Sequence, residues 1–141
     1  MKAVWANKVE IGTSFSASSW SYKDLDAGIE SMTPNFNEIN NVFHFLSDDG
    51  FAQNEVTGME PTIQISGRRI VGDDAQDHIV GKQFVLGEER KSSVKITAEG
   101  KIITCDCTIT DVIGFGGNST DVNQFGCTLR LNVKPTVTTA A

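Results

Sequence analysis

Hydrophobic and polar positions alternate with a period of two along several stretches of this 141-residue chain, the signature of half-buried β-strands. Val9, Ile11, Thr13 and Phe15 alternate with Lys8, Glu10, Gly12 and Ser14, which predicts a first strand. Val42 to Leu46, "VFHFL", is short, aromatic and β-branched and is followed by the turn residues "SDDG", predicting a second. Ile63 and Ile65 fall on one face and Thr62, Gln64 and Ser66 on the other, predicting a third. The cleanest alternation lies near the C-terminus, where Phe125, Cys127, Leu129, Leu131 and Val133 interleave with Gly126, Thr128, Arg130 and Asn132.

One hairpin can be placed in register. With Glu99-Gly100 as a two-residue turn, Ala98 faces Lys101, Ile96 faces Ile103 and Val94 faces Cys105, while Lys95 meets Thr104 and Ser93 meets Asp106. Apolar then opposes apolar and polar opposes polar. Cys105 and Cys107 continue the row of Ile103 and Ile109, and Cys127 sits in the apolar row of the last strand, so all three are predicted as core cysteines. A zinc site would draw about four ligands, and beyond the Cys105/Cys107 pair the chain offers only Cys127, His44 and His78. A disulfide between neighbours two apart on one strand face would be strained. The reading is therefore of no metal site.

A single helix interrupts the strands. In "GDDAQDHIV", Asp73 is an N-cap candidate with Gln76 at capping-box spacing, the acids of the first turn suit the helix dipole, and Gly81 ends the segment. This predicts a flanking helix over about 73–81. Ala75 and Ile79 share its buried face, and His78 lies at the edge as a packing or surface residue.

Composition narrows the function. A chain that is 39% hydrophobic and 21% charged, with 13 glycines and 3 prolines, is globular rather than disordered, and its length suits a single domain over 1–141 with a short flexible tail at about 135–141. The start, "MKAVWANKVE", lacks the apolar stretch of a signal peptide, no apolar run suits a membrane span, and three cysteines suit a reducing cytoplasm. Between residues 21 and 60 eight acids stand against Lys23 alone, so the excess negative charge sits in one segment, and phosphate binding there is disfavoured. "GFGGNST" at Gly114 to Thr120 lacks the P-loop lysine, Asn118 matches a glycosylation sequon without a secretory signal, and the histidines accompany no nucleophile motif. No catalytic or cofactor-binding residue is assigned. Trp5, Trp20 and Tyr22 are read as packing the N-terminal segment.

The run from Thr33 to Phe84 resembles the major tail tube protein of tailed bacteriophages. The matching features are "PNFNE" at Pro34 to Glu38, "DDGFAQNEVTG" at Asp48 to Gly58, and "SGRRIVGDDAQD" leading into the helix. The resemblance implies an antiparallel β-sandwich or open barrel with one flanking α-helix. It implies hexameric rings whose inner strands join into one barrel and which stack into a tube through which DNA passes. It further implies a virion-tail location after assembly in the host cytoplasm, and as partners other copies of the chain, a tape measure, a tail terminator and baseplate or tail-tip proteins. Asp24, Asp26, Glu30, Glu38 and Glu60 are the candidates for an acidic lumen that repels phosphates and lets DNA slide without specific binding. Two alternatives stand beside this: a related tail or secretion-tube component that forms rings but no long tube, and a β-sandwich binding module or hydrolase, which would need a concave site lined by aromatic or convergent polar groups.

The connection "SDDGFAQNEVTGM", Ser47 to Met59, is longer than the about two to five residues a hairpin needs. Asp48, Asp49 and Gly50 supply a turn, Phe51 and Val56 are apolar with no evident place in a small core, and Asn54 stands among polar neighbours. This composition predicts an inter-subunit or inter-ring loop comprising Asp48, Asp49, Phe51, Asn54 and Val56.

Overall fold

A computed structural model describes residues 3–139. The described residues are mainly antiparallel β with one α-helix. Its strands are β1 (Lys8–Ser16), β2 (Ser19–Asp24), β3 (Ile29–Asn35), β4 (Ile39–His44), β5 (Ala52–Gly58), β6 (Thr62–Arg68), β7 (Lys91–Ala98), β8 (Lys101–Ile113), β9 (Gln124–Leu131) and β10 (Thr136–Thr139), with α1 at Asp74–Val80. An eight-stranded sheet runs in the order β2-β1-β7-β8-β9-β6-β3, with β10 added to β8, and β4 and β5 form a separate two-stranded sheet. The large sheet ends at β2 and β3 without closing into a barrel.

The register explains the core. Across β7 and β8, Val94 faces Cys105, Ile96 faces Ile103 and Ala98 faces Lys101, and the turn residues Glu99 and Gly100 both take positive φ, as a tight twisted hairpin turn requires. Neighbouring strands keep the same parity: Ile11 faces Val94, Ile109 faces Leu129, and Cys127 faces Ile65. One sheet face is thus a continuous apolar surface, with Ile11, Ile65, Ile109, Phe125 and Leu129 fully buried. Helix α1 packs against β1, β2 and β8 and adds Ala75 and Ile79 to that core.

The helix start follows the chemistry its sequence predicts, with one change. The Asp73 carboxylate accepts a hydrogen bond from the Gln76 backbone N–H at 3.1 Å, the N-cap interaction. The Gln76 side chain does not return the bond to Asp73. It is fully buried instead, where Oε1 accepts from Ile70 N–H at 2.8 Å and Nε2 donates to Ala27 O at 2.8 Å and Arg68 O at 3.0 Å. Arg69 donates to Asp77 at 2.7 Å, and this bond, aided by the Gly72 N–H, lowers the Asp77 pKa.

Several expectations shift. The second strand begins earlier, at Ile39, and ends at His44, with Leu46–Asp48 forming a 3-10 turn. The long connection after it is no irregular loop: Ala52–Gly58 is a strand paired with β4. The expected flexible tail contains β10, in which Thr136 faces Thr104 and Thr139 faces Lys101, while residues 140 and 141 lie outside the described ones. Trp20 and Tyr22 do pack, Trp20 lying over Gly12 and against Phe15 and Tyr22 bonding Ser93 Oγ at 2.9 Å, but Trp5 is left 87% exposed. A β-carbon at Gly12 would come within 2.7 Å of the Trp20 ring, so glycine is what lets the indole lie flat there.

Candidate functional site

Three surface features are left unsatisfied by the chain's own fold. The first is a pair of free sheet edges. Among the described residues β2 pairs only with β1, and β3 pairs only with β6, so each presents a row of backbone groups open to another strand. Pro34, which cannot donate to a ladder, is tolerated because β3 is an edge. Beside that edge runs a groove of ≈ 240 Å³ lined by Trp5, Val9, Leu25, Ile29 and Met32. Its apolar lining lies between the start of β1 and β3, where the Leu25 N–H donates to Val9 O at 2.8 Å.

The second feature is the β4–β5 arm. Its base is fixed to the body where Asn37 Nδ2 donates to Glu60 O at 2.9 Å and Glu60 N–H donates to Phe36 O at 3.0 Å. Beyond the base, the arm is held by its own ladder and by cross-strand amides, Asn40 to Asn54 at 3.1 Å and Asn41 to Thr57 Oγ1 at 2.8 Å. At the tip, Asp48 accepts from Gln53 Nε2 at 2.8 Å, and Asp49 and Gly50 take the positive φ that reverses the chain. Every residue of β4 is exposed, as are those of β5 up to Thr57. Both faces nevertheless carry apolar side chains: Phe43 and Phe45 stack at 6.1 Å on one, Val42 and Val56 lie on the other, and Leu46 and Phe51 crown the tip. A two-stranded hairpin with no core of its own is marginal in water, and apolar groups on both faces call for cover on both.

The third is a set of exposed apolar side chains in irregular segments, Phe84 and Leu86 after α1, 86% and 85% exposed, and Phe115 after β8. The Arg90 guanidinium pins the backbone around the first two, donating to Gln83 O at 2.8 Å, Val85 O at 2.8 Å and Ile109 O at 3.3 Å. These side chains had no signal in the period-two pattern, because they lie outside the strands.

The acidic candidates divide into two groups. Asp24 pairs with Lys8 at 3.6 Å and Glu30 with Arg68 at 3.2 Å, while Asp26 is exposed in the β2–β3 connection. Glu38 and Glu60 are exposed at the base of the arm. The Lys8 pKa is raised, chiefly by its hydrogen bond to Glu10, so the pair carries compensated charge. Of the inter-subunit candidates, Asp48, Asp49 and Phe51 lie at the arm tip, and Asn54 and Val56 lie on β5. Cys105, Cys107 and Cys127 are buried. Burial pushes the thiols of Cys107 and Cys127 up to about 12 and raises that of Cys105, which donates to Val133 O at 3.1 Å, so all three stay protonated at neutral pH. His78 is half-buried with Nε2 unpartnered, and burial, aided by Lys82, lowers its pKa. Among the described residues, no helix is long and apolar enough to cross a membrane.

No family model and no curated sequence matches the chain. Solved structures do. The tail of an empty gene transfer agent particle, refined with C6 symmetry, superposes with a TM-score of 0.72 at 12% identity over 98% of this chain and 99% of that one. A subunit of a native gene transfer agent virion gives 0.69 at 15% identity, again over 98% and 99%. The tube-terminating cap of an anti-feeding prophage gives 0.60 at 15% identity over 98% of this chain and 91% of the other. At such identities the likeness is one of fold, and it spans the whole chain, arm and helix included.

Proposed function

We propose that this chain is a structural subunit of a phage-type tail tube, closing into rings by edge pairing and stacking those rings through its arm. The observation that carries the reading is the β4–β5 arm, an ordered hairpin whose apolar residues are exposed on both faces and which is therefore incomplete in a single copy. The free edges of β2 and β3 support ring closure. They are the two ends of one sheet path, so β2 of one copy can pair with β3 of the next in a head-to-tail contact that repeats until the ring closes. Such closure removes both edges and covers the groove beside β3. The C6 symmetry of the similar gene transfer agent tail supports six copies per ring.

In this reading the acids serve the conduit. Asp24 and Glu30 are already paired with cations, so Asp26, Glu38 and Glu60 supply most of the charge that repels a passing duplex. The partners are other copies of the chain, a tape measure within the lumen, and terminator and baseplate or tail-tip proteins at the two ends. No catalytic residue is invoked. The likeness to a tube-terminating cap favours one alternative, a subunit that forms a single ring and arrests growth.

Electron microscopy of the purified chain tests the proposal: six-fold rings stacked into tubes are expected. Single rings would favour the capping role, and a strictly monomeric species at high concentration would refute assembly through these surfaces. The lumen assignment is tested separately by changing Asp26, Glu38 and Glu60 to their amides. Tubes of that variant are expected to retain duplex DNA at low salt and release it as salt rises, and unchanged DNA retention would place these acids outside the conduit.

A further inference from the structure

Resting on the tail-tube reading, we propose that Gln76 of helix α1 is a positioning residue for assembly: it fixes the register in which edge strand β3 lies on β6, and so the backbone that β3 offers to a second copy. The two strands supply little of that register themselves. Their contact begins where Gly28 and Gly67 meet as bare backbone. A β-carbon on Gly67 would collide with Gly28 O and lie 2.8 Å from Ile29 Cα, and one on Gly28, which sits at φ 75, would lie 2.5 Å from Arg68 O. A bulge follows at once: Ile29 faces Gly67 and Ser31 faces Ser66, which leaves Glu30 as the extra residue. A one-residue slip from this arrangement would turn Ser31 and Thr33 to the core and Met32 to solvent. Within β3 the apolar groups that resist such a slip are Ile29 and Met32, each only half-buried, and the rest of the strand is exposed.

The Gln76 amide acts on both strands at once. Nε2 donates to Ala27 O at 2.8 Å, one residue before Gly28, and to Arg68 O at 3.0 Å, one residue after Gly67. Oε1 accepts from the Ile70 N–H at 2.8 Å and from Arg69 at 3.4 Å, while the Gln76 backbone N–H is held by the Asp73 cap at 3.1 Å. Both polar atoms of this fully buried side chain are bonded, so the amide is fixed in one orientation. The two carbonyls are thereby held at a set separation across the bare-backbone contact, and the Arg68 N–H completes the clamp by donating to Gly28 O at 2.8 Å. Glycine at 28 and 67 lets the strands touch, and a glutamine from a third element decides where they do. Being buried, Gln76 reaches no second copy and acts on assembly through β3.

The test uses the full chain carrying Gln76→Glu, which keeps the size and the oxygen that accepts from Ile70 and replaces the Nε2 donor with an oxygen facing Ala27 O and Arg68 O. Hydrogen exchange read segment by segment is expected to be faster by about tenfold or more in β3 while the β7–β8 hairpin stays protected as in the parent, and microscopy is expected to show no rings. A staple then separates positioning from stability. The Ser31 and Ser66 hydroxyls lie 2.5 Å apart, so Ser31→Cys with Ser66→Cys can close a disulfide that holds β3 on β6 in the native register, and the buried native thiols do not compete. In the Gln76→Glu background the oxidised staple is expected to restore both the protection of β3 and the rings, and its reduction to abolish them. Assembly of Gln76→Glu like the parent, unchanged exchange in β3, equal loss of protection from the β7–β8 hairpin, or a closed staple that restores no rings would each overturn the inference. Absence of rings from the unaltered chain would instead overturn the tail-tube reading, and exchange in β3 would still decide whether Gln76 positions that strand.

Discussion

Replacing Phe51 and Val56 with serine separates what the arm does for its own subunit from what it does for the assembly. In the single copy Phe51 is 77% and Val56 51% exposed, so their loss removes little buried surface. Surface changes of this kind alter stability by about 0.5 kcal/mol or less each, and the thermal midpoint of the unassembled subunit should stay within a few degrees of the parent. In the proposed ring junction the same side chains would become covered. Full burial of a Phe or Val side chain contributes about 1.5–3 kcal/mol, and scaling by the fraction still exposed gives about 2 kcal/mol for Phe51 and about 1 kcal/mol for Val56. With six copies per ring, as in the similar C6 tail, the junction would lose about 18 kcal/mol. A third of that would still stop stacking at ordinary protein concentrations. The assay pairs sedimentation or microscopy, which report tubes, with calorimetry of the unassembled subunit. Normal tubes, or a subunit midpoint lowered by about 10 °C, equivalent to roughly 3 kcal/mol, would refute the reasoning, because the arm would then be dispensable or part of its own core.

Three further outcomes follow from the fold. Gln76→Leu strips partners from the part-buried Ile70 N–H, Ala27 O and Arg68 O, and should cost about 2–4 kcal/mol in denaturant unfolding; a loss under about 1 kcal/mol would show that these groups find other partners. The β1–β2 turn places Ala17 and Ser18 at φ 50 and 63, a conformation that suits Asn-Gly far better, so the double change Ala17→Asn and Ser18→Gly should stabilise by about 1 kcal/mol, read as a higher denaturant midpoint, and a lower midpoint would contradict that geometry. Because burial raises the Cys107 and Cys127 thiols to about 12, a thiol reagent at pH 8 should leave the native chain unmodified and label all three cysteines on unfolding; rapid labelling of the folded protein would refute their placement.

The amino-acid sequence determined the features that depend on near neighbours along the chain. The Glu99-Gly100 turn and the β7–β8 register follow from side-chain alternation and one glycine, and the helix start follows from Asp73 and the spacing to Gln76. The edge strands β2, β3 and β10 were not legible. They are short and mostly exposed, so no alternation marks them, and Pro34 argues against a strand unless its donor-free edge is known to face no partner. The role of Gln76 was half legible, because capping-box spacing says where a glutamine sits and not that three backbone groups from other segments converge on it. The candidate site shows the same division. The excess length and stray apolar residues of Ser47 to Met59 marked it as unusual, whereas β5 carries little apolar alternation to mark its pairing with β4, and the segment around Phe84 is pinned by Arg90, which also bonds Ile109 O on a separate strand. Apolar periodicity records that a side chain is to be buried and leaves open which surface buries it. In "VFHFL" the same pattern that marks a core strand marks an arm, and only the tertiary structure, by leaving Phe43 and Phe45 in water, decided between them.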